Sequence, residues 1–113
     1  MSAANREHWE EARDAFLQAY HLEPSPRSLH AVWIQCGLAY CCIQLEWWDK
    51  AEEYLGEATK LDDANIHVLA MRSVVMGATG RNSEAIELLE AYLKRCPESV
   101  GGWFNLGNAW RRL

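Results

Sequence analysis

The sequence predicts an all-α chain of antiparallel helix pairs, and three observations carry that prediction. Apolar residues recur at helical spacing through every long stretch, with no alternating β pattern to compete. Clusters of Pro, Gly, Asp and Asn divide the chain into six such stretches. The stretches alternate between mostly apolar and amphipathic, as they do when one helix of each pair is packed on two sides and its partner keeps a wet face.

In order, the first stretch places Trp9, Ala12, Phe16, Ala19 and Tyr20 on one face and Glu10, Glu11, Asp14 and Gln18 elsewhere. Pro24-Ser25-Pro26 ends it and starts the next, with Ser25 as N-cap and Pro26 at the first helical position. Pro26 to Leu45 is apolar nearly all round. Trp48, Ala51, Leu55, Ala58 and Leu61 form the third stripe, with Glu52, Glu53, Glu57 and Lys60 off it. The polar run Asp62-Asp63-Ala64-Asn65 then caps a mostly apolar stretch, Ile66 to Ala78. Gly77, Gly80 and Asn82-Ser83 mark the next break. Ser83 to Arg95 sets Ala85, Leu88, Leu89 and Tyr92 against Glu84, Glu87, Glu90 and Lys94, and Glu90 and Lys94 stand at i,i+4 in the favourable order. Cys96-Pro97-Glu98-Ser99 closes it, and Val100 to Leu113 carries Trp103, Leu106 and Trp110.

Composition narrows the function classes. A chain of 113 residues that is 50% hydrophobic and 24% charged has material for one core and is not disordered. A net charge of −5 weighs against nucleic acid or an anionic membrane as the main partner, because both attract excess Lys and Arg. No apolar run approaches the ~20 residues of a membrane span, and Met1-Ser2-Ala3-Ala4-Asn5-Arg6-Glu7 lacks the order of a signal peptide. Cys36, Cys41, Cys42 and Cys96 include no C-x-x-C pair, and adjacent Cys41 and Cys42 are poorly spaced for two ligands of one zinc ion. His8, His21, His30 and His67 form no H-x-x-x-H pair. The cysteines therefore read as small hydrophobes in a reducing compartment, and the chain as cytoplasmic, without metal or cofactor. No nucleophile elbow or phosphate loop is present, so the chain reads as a non-enzyme.

The helix pairs repeat. Ala12/Phe16/Ala19 recurs as Ala51/Leu55/Ala58 at an offset of 39, and in looser form as Ala85/Leu89/Tyr92 at a further 34. The last stretch contains Trp103-Phe104-Asn105-Leu106-Gly107-Asn108-Ala109-Trp110, which resembles the W-x-x-L-G-x-x-Y first helix of a tetratricopeptide repeat with Trp for Tyr. In that motif Trp103, Leu106 and Trp110 share a face, and Gly107 removes a side chain where a second helix comes close. Elsewhere the match is partial. Leu38-Ala39 stand for Leu-Gly and Cys42 for the aromatic; Arg72 and Ser73 occupy the Leu and Gly positions, where Val68, Met71 and Val75 are expected to pack instead. The resemblance implies one domain in a right-handed superhelix, with a partial repeat (5–22), full repeats (26–61 and 65–96) and a final partial repeat (99–113).

The resemblance also implies a site. First helices of this family line a concave groove, which here gives Trp33, Cys36, Tyr40 and Ile43, then His67, Ala70 and Val74, then Gly101, Phe104, Asn108 and Arg111. For Trp33, a place in the inter-helix core is an equal alternative. Some members clamp acidic chaperone C-termini with Lys, Arg and Asn. The corresponding positions here are Cys36, Tyr40, Met71, Gly101 and Asn105, and none is a cation, so that activity is not expected. An apolar, aromatic groove suits a hydrophobic peptide or amphipathic helix instead. The expected function is a non-catalytic interaction module, an adaptor or chaperone-like scaffold with protein partners. The alternative is a self-assembling unit whose unpaired terminal helices associate through Trp103, Leu106 and Trp110 into oligomers.

Overall fold

The computed structural model describes residues 3–22 and 29–113, so the Ser25 cap and the Pro26 helix start lie outside the described residues. All regular structure among the described residues is helical: α1 (Ala3–Leu22), α2 (Leu29–Gln44), α3 (Trp48–Leu61), α4 (Ile66–Ala78), α5 (Asn82–Arg95) and α6 (Val100–Arg112). The helices fall into two compact units, Met1–Asp63 and Ala64–Leu113.

In the first unit α2 packs on both α1 and α3, which is why its sequence is apolar on nearly every side. Leu38, Ala39, Cys41 and Cys42 of α2 and Ala51, Leu55 and Ala58 of α3 are at most 2% exposed. The alanines keep the interface thin enough for Leu38 and Leu55 to fill it. α1 is held to α2 by aromatic contacts. The Phe16 ring lies where a Cβ on Gly37 would fall, so glycine is needed there. Trp9 meets Tyr40 edge to face at 5.4 Å, and the Arg13 guanidinium sits 4.9 Å from the centre of the Trp47 ring.

In the second unit α5 packs on α4 and α6. Val68 and Val75, expected to replace the motif residues, are buried, and Met71 is half-buried. Ser73 fills the motif's glycine position at 4% exposure, its hydroxyl donating to the Ala70 carbonyl at 2.6 Å. Ala85, Ile86, Leu89 and Ala109 form a cluster over which Met76 and Leu106 pack. Gly107 departs from expectation. Nothing lies within 4 Å of a Cβ placed on it, since among the described residues no helix covers that face of α6; close contact with α5 falls at Gly102, where a Cβ would lie 2.8 Å from Leu93 Cδ2.

The two hairpins turn alike. Glu46 N–H donates to Ile43 O (3.0 Å) and Trp47 N–H to Cys42 O (2.8 Å); 34 residues on, Gly80 N–H donates to Gly77 O (3.3 Å) and Arg81 N–H to Met76 O (2.8 Å). This is the Schellman closure, with Glu46 (φ 61°) and Gly80 (φ 83°) in the left-handed region. Asn65 caps α4, accepting from the N–H groups of His67 and Val68, and Ser99 caps α6 by accepting from Gly102 N–H.

Candidate protein-binding surfaces

In the first unit α2 presents Trp33 and Tyr40, 55% and 48% exposed. Seven residues apart, they are about 10.5 Å apart along one side of the helix, and Trp9 fixes the Tyr40 ring. Cys36 lies between them in sequence but is only 7% exposed. Its place in the groove is therefore corrected: it faces the core, where a small thiol packs as an apolar group. Ile43 is half-buried. Sequence reasoning missed a cavity of about 390 Å³ lined by Tyr20, Ile34, Gln35 and Leu61, with the Glu57–Lys60 ion pair (3.2 Å) beside it. The signal was available. Gln35 stands where the motif has Trp, and a smaller side chain there leaves space; its buried Oε1 has no hydrogen-bond partner.

In the second unit Ala70 and Val74 of α4 meet Gly101 and Asn105 of α6 around a cavity of about 230 Å³ floored by Leu89 and Tyr92 of α5. A neighbouring cavity of about 180 Å³ adds Asn108 and Arg112. Ala70, Val74 and Asn108 are thus brought together. Phe104 is 68% exposed on α6, and His67 is exposed near the start of α4. Asn108 Oδ1 accepts from Arg111 Nη2 at 3.2 Å. Arg112 brings a cation to this groove.

The outer face of α6 carries Trp103 and Trp110, 54% and 57% exposed. Trp103 Nε1 donates to Pro97 O at 2.7 Å, which fixes its ring. Leu106 is corrected: it packs on the Ala85–Ala109 cluster and is half-buried, so it belongs mainly to the core rather than to this face.

The interior thiols are poor nucleophiles. Burial raises the pKa of Cys36, Cys41 and Cys42 above the ordinary thiol value; Asp62 adds to the effect at Cys36, while Arg13 opposes it at Cys41 and Cys42. All four cysteines are free. Among the described residues no group of three His, Cys, Asp or Glu side chains is disposed to hold a metal ion, and no helix is long and apolar enough to cross a membrane.

Paired helices without strands among the described residues define an all-α helical-repeat fold. The tetratricopeptide repeat family model matches residues 66–109. The fold is similar to that of the Arabidopsis OM64 TPR domain, with a TM-score of 0.82 and 17% identity over 98% of this chain and 88% of that one. The family-model match lies within the second unit, and the likeness to the solved domain shows the fold of the chain, an all-α helical repeat. No curated protein matches the sequence.

Proposed function

We propose that the chain is a non-catalytic adaptor or chaperone-like scaffold that holds a hydrophobic peptide or amphipathic helix against its first helices. The carrying observation is that Trp33, Tyr40, Val74 and Phe104 are 41% to 68% exposed on helices that each pack another side on the core. Large apolar side chains exposed along helix faces suit contact with an apolar peptide or helix. A cytoplasmic place fits the free thiols, and a protein rather than nucleic-acid partner fits the net charge of −5.

The test starts from a displayed random-peptide library selected on the 113-residue chain. Tyr40→Glu or Phe104→Glu should weaken the selected peptide at least tenfold while helicity by circular dichroism is kept. Undiminished affinity in both variants overturns the reading. The exposed Trp103 and Trp110 favour a second reading, self-association through α6. It is tested by the mass of the Trp103→Asp/Trp110→Asp variant, which should fall to that of one chain.

A further inference from the structure

We propose that the outer face of α6 in one copy docks, antiparallel and head to tail, on α1 of a second copy, reproducing the packing of α2 on α3. This rests on the second reading above and supplies the other half of the contact.

The chain contains its own template. α6 maps onto α2 at an offset of 68 (Leu38 to Leu106), and α1 maps onto α3 at an offset of 39 (Ala51 to Ala12, Leu55 to Phe16). In the α2–α3 pair, Gln35 shares a cavity wall with Glu57, Lys60 and Leu61, and Cys42 lies near enough to Tyr54 to help raise its pKa. Carried across, Trp103 falls on Gln18, His21 and Leu22, and Trp110 falls on Ala15. Each of these residues is exposed in the single chain, Leu22 at 79%.

Volume and charge both match. Where α2–α3 sets a small Cys42 near a large Tyr54, the copy contact sets a large Trp110 over a small Ala15. Gly107 and Ala12 replace Ala39 and Ala51, so the space open above Gly107 admits a helix backbone. α6 carries Arg111 and Arg112 and no carboxylate, a charge of +2. α1 carries Glu7, Glu10, Glu11 and Asp14 against Arg6 and Arg13, a charge of −2. Antiparallel docking brings the arginine end of α6 to the glutamate-rich first half of α1. The two faces differ, so the contact can repeat from copy to copy.

Light scattering behind size exclusion tests this on the full chain, from micromolar to near-millimolar concentration. The expected mass rises with concentration above the 12.9 kDa of one chain and falls with added salt. Trp103→Asp/Trp110→Asp blocks one face. Ala15→Arg blocks the other, with Leu22→Glu as a second α1 variant at an exposed site. Each variant alone should run as a monomer with unchanged circular dichroism. An equimolar mixture of an α6-blocked and an α1-blocked variant should form a dimer and nothing larger, since one intact face of each kind remains. A monomeric parent chain at every concentration overturns both this proposal and self-association through α6. An oligomer abolished by the α6 variant but untouched by both α1 variants overturns head-to-tail docking alone and leaves a symmetric α6 contact. Two monomeric variants that do not combine also overturn it.

Discussion

The α2–α3 and α4–α5 hairpins are the same object built twice, 34 residues apart, from different side chains. Ala51 and Ala85 occupy one site, Leu55 and Leu89 another, and both turns close with the same pair of hydrogen bonds. Yet the second helices alone keep the repeat's spacing; the first helices diverge. α2 fills the motif positions with Leu38, Ala39 and Cys42, α4 with Arg72, Ser73 and Met76. The difference shows which positions the fold constrains. A second helix must present a small residue and then a large one to its partner, as Ala51/Leu55 and Ala85/Leu89 do, whereas a first helix can fill the shared volume with any neighbouring apolar pair, as Val68 and Val75 do.

The largest expected effect tests that equivalence. Leu55 and Leu89 are 2% and 3% exposed at matching positions, so Leu55→Ala and Leu89→Ala should each cost about 2–5 kcal/mol in urea unfolding. A cost at one site that is less than half that at the other would break the equivalence.

This is also where the sequence was most and least legible. Helix number, pairing and the second-helix triplets follow from periodicity, because burial on one face leaves a regular apolar trace. The candidate surface was legible only in part. Tyr40 and Phe104 stand out as exposed, but Cys36 turns inward, since rotation of α2 about its axis is set by contacts with α1 and α3 that no local spacing encodes. Leu106 shares a stripe with Trp103 and Trp110, which by spacing alone sets it on the outer face, but the Ala85–Ala109 cluster captures it. The cavity beside Gln35 depends on three helices at once, and only the missing motif Trp hinted at it.

The turns predict effects of opposite sign. Gly80 holds φ 83° without penalty, so Gly80→Ala should cost about 1–2 kcal/mol. Glu46 holds φ 61° with a Cβ. Glu46→Gly relieves that strain while adding chain entropy to the unfolded state, for a net gain of about 1 kcal/mol or less. Two changes of the same sign would show that the shared hydrogen bonds do not impose a shared backbone cost. At the helix starts, Asn65→Ala removes a side chain that accepts from two N–H groups and should cost about 1 kcal/mol. The residues before α3 and α5, Trp47 and Arg81, make no side-chain cap, so alanine there should forfeit no capping energy.

At neutral pH the last difference between the hairpins is silent. The first unit buries Cys36, Cys41 and Cys42 and partly buries Tyr54, and burial raises the pKa of all four, from ordinary values of 9.0 for the thiols and 10.0 for Tyr54. No cysteine occurs from Ile66 to Arg95, the span of the second hairpin. The sign follows from proton counting. Above about pH 9 the unfolded chain releases thiol protons that the folded chain keeps, so stability is present in full below the unfolded value and is lost as pH rises through the folded one. Amide hydrogen exchange compared at matched chemical rates between pH 8 and 10 should therefore show α2 and α3 losing protection before α4 and α5. Replacing the three buried thiols by alanine should lower stability at all pH values, through the lost sulfur packing, but flatten its alkaline decline, leaving the part due to Tyr54. Equal loss of protection in both hairpins would mean that general charge imbalance, rather than burial of these groups, sets the alkaline limit.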